Sequence, residues 1–257
     1  MLKKSIGVLC LLINIQVFAN FPDFDKALYQ PLKEKKDISF EIQSLELTEL
    51  INEKLLLKVP TDTFWKVYKL HDQEQVDLDK FKDTSESVKK VIQEGFLSKA
   101  SFAWLDSMKT YLDSFKFLKR EDSVYYYEEI DGSRGIEELR LSFSRGVLNV
   151  EMDLIDQTEK HQYIYDRMPW SGGSLVLISV YSQIKKFTDL TETKTDITYK
   201  KLSKKLWLPS KIKVVTTQNS HTKTVGKVER SLTELYQFRN YKIDQKFASD
   251  WFKSHNN

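Results

Sequence analysis

Cysteine is almost missing from this 257-residue chain: one residue, Cys10, falls in the amino-terminal stretch read below as a discarded leader. Without it, disulfides, thiolate metal sites and cysteine nucleophiles are excluded together. Glycine and proline are also scarce, at 8 and 5 residues, and neither Gly-x-Gly-x-x-Gly nor a Walker pattern occurs, so no phosphate-cradling loop is present. Four histidines, His71, His161, His221 and His255, lie far apart in the sequence. None forms the His-x-x-x-His pair of a zinc helix, so no metal or cofactor site is expected. Charge of one sign is lacking too: 40 lysines and arginines face 37 acids, which gives no electrostatic footprint for nucleic acid. The cluster Lys200-Lys201 with Lys204-Lys205 reads as a solvated hairpin end. The loop Trp170-Ser171-Gly172-Gly173-Ser174 lacks the Gly-x-Ser-x-Gly order that exposes a serine nucleophile. Acid pairs such as Glu128-Glu129 and Glu137-Glu138 suit the outer face of strands. No catalytic residue is expected.

No apolar run approaches the roughly 20 residues that a membrane-spanning helix needs. The longest candidate, at the amino terminus, has the anatomy of an export signal. Lys3 and Lys4 are followed by the apolar stretch Ile6 to Ile13, then by Val17-Phe18-Ala19 as a cleavage site. Residues 1–19 are therefore expected to be a cleaved signal peptide. The remainder, 20–257, is expected to be periplasmic, unanchored and held together by its core alone.

What is plentiful is alternation. Ile38, Phe40 and Ile42 alternate with polar residues, and Leu55 to Val59 reads as a second strand before Pro60. Phe64 to Tyr68 follows as a third. Val124 to Tyr127 continues the pattern. Leu139, Leu141 and Phe143 then face Leu148, Val150 and Met152 across an Arg145-Gly146 turn, a hairpin signature. Gln162 to Asp166, Thr195 to Leu202, Leu206 to Thr217 and Lys223 to Ile243 add further strands, with Pro209 suggesting an edge or a bulge. Residues 84–118 break the rhythm. Val88, Val91 and Ile92, then Phe102, Leu105, Met108, Leu112 and Phe115, fall at helical spacing, with Gly95 as a stop between two helices and Ser98 or Ser101 as a cap. No repeat, linker or low-complexity tract marks a boundary, so 20–257 is expected to be a single domain with a helical segment at 84–118. The fold class expected is α+β and mainly antiparallel β: a curled sheet of eight to eleven strands, with helices covering the concave face.

The aromatic load, 12% of the chain, sits on those strands and on the helical stripe. In a curled sheet that its helices do not fill, such residues line an apolar cavity for acyl chains. The candidate lipid-binding residues are Phe64, Trp65, Phe102, Leu105, Met108, Tyr126, Leu139, Leu141, Phe143, Leu148, Val150 and Met152.

The ends of the chain carry a resemblance. An export signal precedes an early hairpin whose second arm, Leu55 to Pro60, is followed by Phe64-Trp65. The chain closes with Trp207-Leu208-Pro209-Ser210-Lys211-Ile212 and then Asn240-Tyr241-Lys242-Ile243 with Phe247. This pattern resembles the periplasmic lipoprotein carrier superfamily (LolA/LolB-like, including outer-membrane lipoprotein-sorting proteins). The resemblance implies an unclosed β-barrel capped by helices and a non-enzymatic carrier whose partners are an acylated lipoprotein or lipid and an outer- or inner-membrane partner protein. The alternative is a periplasmic sensor or scaffold that uses the same fold to bind a partner protein.

Overall fold

The computed structural model describes residues 24–32, 35, 37–71, 73–81, 83–100, 112–222 and 226–255. The expected signal peptide and the candidates Phe102, Leu105 and Met108 lie outside them. The architecture is α+β and mainly antiparallel β, with twelve strands and a few short helices among the described residues. The chain forms two compact units. A framing unit comprises Gln30–Leu105 and Thr191–Asn257, and an inserted unit comprises Met1–Tyr29 and Asp106–Leu190.

The framing unit is built on β1 (Asp37–Ser44), β2 (Trp65–Leu70), β3 (Gln73–Val76), β10 (Asp189–Ser203), β11 (Leu206–Thr222) and β12 (Gly226–Ile243). Their order is β3-β2-β1-β12-β11-β10, so the two ends of this segment of chain meet at β1 and β12. The period-two pattern of β1 decides its faces. Ile38, Phe40 and Ile42 are buried beside Val67 and Trp65 of β2 and Phe238 of β12. Ser39 and Glu41 lie on the other face, in register with Tyr68 and Lys66.

Two helices cover the Trp65 face. Helix α2 (Leu45–Leu55) starts at Ser44, whose hydroxyl accepts from the Leu47 amide at 3.3 Å, and it turns Leu47, Thr48 and Ile51 inward. The strand expected over Leu55 to Val59 is not formed. Leu55 ends α2, Leu56 adopts a left-handed cap at φ 53°, and the Asn52 side chain clamps both the Val59 amide (2.8 Å) and its carbonyl (2.7 Å). Helix α3 (Glu86–Ala100) runs through Gly95 rather than stopping there. A Cβ at Gly95 would lie 3.3 Å from both methyls of Leu47, so the missing side chain lets α2 and α3 approach. The Ser98 hydroxyl donates back to the Gly95 carbonyl at 3.0 Å within the same helix. Phe96 and Phe81 then close on Trp65 at ring distances of 5.1 and 5.3 Å.

A third helix, α4 (Phe247–His255), packs on the opposite face, where Trp251 stacks on Tyr68 at 4.8 Å beside Ala248 and Phe252. Pro209 is not at an edge: β11 lies between β12 and β10. The β11–β12 register begins two residues later, at Lys211 opposite Gln237, so no ladder bond to β12 is lost at Pro209.

In the inserted unit the strands are β4 (Phe115–Glu121), β5 (Val124–Glu129), β6 (Ile136–Ser144), β7 (Val147–Leu154), β8 (Gln157–Asp166) and β9 (Val176–Lys186), in the order β9-β8-β7-β6-β5-β4. Phe115 opens a strand rather than ending a helix, and the alternation Phe115-Lys116-Phe117 is the reason. The hairpin read at Arg145-Gly146 is present, with φ of 50° and 80°, the positive pair of a type I′ turn. Leu139, Leu141, Leu148 and Val150 are buried with Tyr125 and Tyr127, and Phe24 of the short helix α1 (Phe24–Ala27) lies against Phe143 at 4.9 Å. On the reverse face Arg140 pairs with Glu138 and Asp153, both at 2.8 Å, and with Glu151 at 3.4 Å. Neither unit's sheet closes on itself; β3 and β4 are edge strands.

Candidate binding cleft

Among the described residues a cleft of about 610 Å³ lies on the α4 side of the framing sheet, within the range of small-molecule sites, roughly 300 to 1,000 Å³. Its floor comes from β1, β2 and β12, and its walls from Phe247 of α4 and Leu202 of β10. Leu202 and Lys66 sit on strands four steps apart, which in a flat sheet would separate them by about 19 Å at ~4.8 Å per strand. Both line this one cleft, so the framing sheet bends toward α4.

Three local features shape it. The first is a bulge: Ser39 is in register with Lys242 and Glu41 with Arg239, so Phe40 alone opposes Asn240 and Tyr241. Asn240 takes up the extra residue at φ 54°, a conformation that asparagine tolerates better than most side chains. The second is the anchoring of α4. The buried carboxylate of Asp37 accepts from the backbone amides of Ala248 (3.1 Å) and Ser249 (3.0 Å) and from the Ser249 hydroxyl (2.5 Å). A carboxylate there satisfies orphan donors and complements the positive end of the helix. The Asp37 carbonyl accepts from the Asp244 amide at 2.8 Å, and Lys35 bonds the Asp244 carboxylate at 2.6 Å, which fixes the turn into α4. The third is at the far end of α4, where the two ring nitrogens of His255 approach the Trp251 carbonyl (2.9 Å) and the Asp79 carboxylate (3.0 Å). Two acceptors favour the doubly protonated ring, and its pKa is raised, chiefly by the Trp251 carbonyl and then by Asp79.

The lining is part aromatic and part charged. Tyr241, Phe247 and Leu202 supply apolar surface, and Tyr241 donates its hydroxyl to the Pro209 carbonyl at 2.9 Å. Burial pushes the Tyr68 phenol up to about 12, with Asp77, Asp79 and Glu41 adding to the shift, so Tyr68 stays neutral and able to donate. Glu41 accepts from Arg239 Nε at 2.7 Å and from Asn240 Nδ2 at 3.0 Å. Lys66 and Lys242 complete the rim, the latter with its ammonium 5.4 Å from the Phe247 ring. A smaller recess of about 250 Å³ lies at the start of α2, between Gln43, Glu46 and Leu235. There the Glu46 carboxylate already accepts from the Leu235 amide at 3.1 Å.

The residues expected to bind lipid are distributed. Leu139, Leu141, Leu148 and Val150, with Phe143 and Met152 packed against them, share one cluster of the inserted unit. Leu139, Leu141 and Leu148 are fully buried there. Tyr126 is in register with Arg140 on the reverse face of that sheet, under the Lys119 ammonium at 4.7 Å. Trp65 is core in the framing unit, and Phe64 lies beneath the Arg239 guanidinium at 3.4 Å. The cleft is made instead of residues not among those candidates, although Tyr241, Lys242 and Phe247 belong to the closing segment that carries the family resemblance.

The inserted unit also holds a polar cluster that the sequence pattern conceals. His161 Nδ1 lies 2.9 Å from Ser182 Oγ, and its Nε2 lies 3.2 Å from Glu159 Oε2. Hydroxyl, imidazole and carboxylate are in the order of a nucleophilic triad, but such a site needs free N–H groups aimed at a developing oxyanion. Strand β8 is in antiparallel register with β7 on one side and β9 on the other, so its amides serve the ladders. Among the described residues no group of three His, Cys, Asp or Glu is placed to hold a metal ion, and no helix is long and apolar enough to cross a membrane. No protein-family model matches the chain, and comparison with curated proteins and with solved structures also gives no match.

Proposed function

We propose that this protein is a periplasmic, non-enzymatic binding and carrier protein for lipid or acylated cargo, working as the lipoprotein carriers it resembles at its ends work. The observation that carries the reading is the 610 Å³ cleft, lined by Phe247, Tyr241 and Leu202. Those side chains come from three different elements, so the cleft follows from the fold and not from one loop. Carriage requires apolar area that cargo can enter and leave; it requires no chemistry at the site. Phe247 is 48% exposed at the first residue of α4, a wall that cargo would cover.

The test is lipid extraction from protein purified under mild conditions, with mass spectrometry of the extract. Acyl lipid near one molecule per protein is expected, and its loss is expected in the Phe247→Asp variant. An acid at the start of α4 suits the helix dipole, so that loss would not arise from a melted helix. An extract without acyl lipid from the unaltered protein contradicts the reading. The alternative, a sensor or scaffold for a partner protein, is favoured by one observation. Edge strand β4 exposes Phe117 at 51% and Leu118 at 46%, at a bulge in its pairing with β5. An added strand could dock there.

A further inference from the structure

The cleft's two kinds of lining select a cargo class. Glu41, the carboxylate in the cleft lining, is already engaged by Arg239 and Asn240, and Asp37, which anchors α4, by the amino end of that helix and the Ser249 hydroxyl. The lysines are not. Among the described residues neither Lys66 nor Lys242 has a carboxylate within 4.0 Å, whereas Lys69 on the opposite face of β2 pairs with Glu74. Lys242 is in register with Ser39, and Ser39 with Tyr68; Lys66 is in register with Glu41, one pleat further along. Two lysines without a carboxylate partner and a neutral phenol donor therefore stand along one rim, and the apolar surface of Tyr241, Phe247 and Leu202 lies beside them. The arrangement matches a molecule with an anionic end and an apolar tail, and it disfavours a cation, which would meet Lys66 and Lys242 without a free carboxylate to balance them.

We propose that the cleft binds a single-chain anionic amphiphile, its charged head held by Lys66 and Lys242 and its tail laid against Tyr241, Leu202 and Phe247. This deepens the carrier reading and rests on it. A carboxylate head and a phosphate head share the required chemistry. The experiment compares hexadecanoate, hexadecyl phosphate, neutral hexadecanol and cationic hexadecyltrimethylammonium by titration calorimetry at submicellar concentration. It uses the unaltered chain, Lys66→Ala and the double variant Lys66→Ala/Lys242→Ala; both side chains are exposed, so the variants are expected to fold normally. At least one anionic ligand should bind about tenfold more tightly than hexadecanol, the yield of two charge contacts at a solvated rim. The preference should shrink with added salt and fall to within about twofold in the double variant. If hexadecanoate alone shows it, the head is a carboxylate; if hexadecyl phosphate alone does, it is a phosphate. Hexadecanol binding as tightly as both anions would overturn the head-group inference and leave the carrier reading intact. A preference that survives in the double variant would overturn the assignment to these lysines. Binding of none of the four would remove the carrier reading itself.

Discussion

Replacing Gly146 by alanine provides a severe test of the inserted unit's construction. Gly146 closes the β6–β7 turn at φ 80°, and a Cβ there would lie 2.7 Å from the backbone oxygen of Tyr165. The same Tyr165 donates its amide to the Gly146 carbonyl at 2.7 Å, so backbone must move and this bond must lengthen or break. The left-handed conformation costs an alanine about 1 to 2 kcal/mol, and loss of the hydrogen bond adds about 1 kcal/mol. A destabilisation of about 3 kcal/mol follows, shifting the urea midpoint down by about 1 M at an m-value of ~3 kcal/mol/M. Gly132→Ala is the control, because Gly132 also has positive φ, 63°, but nothing lies within 4 Å of the added Cβ. It should cost about 1 kcal/mol. Urea unfolding followed by circular dichroism measures both. Midpoints for the two variants within ~0.2 M of each other would show that β8 does not press on the turn as described, and would refute the reasoning.

Other expectations concern α4 and the core. Asp37→Ala removes the acceptor for two backbone amides and should destabilise by about 2 kcal/mol, with amide exchange in Ala248 to His255 accelerating before the rest of the framing unit; uniform exchange would contradict the capping role. The docking of α4 should depend on pH through His255. Its pKa is raised above the ordinary 6.5, so its contribution is complete below about pH 6.5 and is lost as pH rises through the raised value. Protection of α4 amides, corrected for intrinsic exchange, should therefore be greater at pH 6 than at pH 8, and Asp79→Asn should reduce the difference. Leu139→Ala, at a fully buried position, should cost about 3 kcal/mol while leaving acyl binding unchanged, which a parallel unfolding and binding titration will show.

Much of the strand content was legible because alternation survives wherever a sheet has one buried and one wetter face. Ile38, Phe40 and Ile42, and Leu139 and Leu141 against Val150 and Met152, are cases where pattern and register coincide. The failures have local causes. Leu55-Leu56-Leu57 has the composition of a strand, but Ser44 had already capped a helix whose inward residues, Leu47 and Ile51, lie four apart. Gly95 read as a stop because a glycine's use in close helix packing depends on what faces it, here Leu47, 48 residues earlier. The cleft was hidden for a related reason. Ser39, Lys66, Leu202, Tyr241 and Phe247 converge only through strand register, the Asn240 bulge and the capping of α4 by Asp37. The polar groups were individually unremarkable in sequence; what marks Lys66 and Lys242 is that Glu41 and Asp37 are already occupied, which is a property of geometry.

On the proposed carrier reading, acyl cargo enters this cleft and not the apolar cluster of the inserted unit. Photo-crosslinking with a diazirine-bearing hexadecanoate, followed by peptide mapping, tests it directly. Labels should concentrate at Leu202, Tyr241 and Phe247, and excess hexadecanoate should abolish them. Labels centred on Leu139, Leu141 and Val150, or no competable label at all, would contradict it.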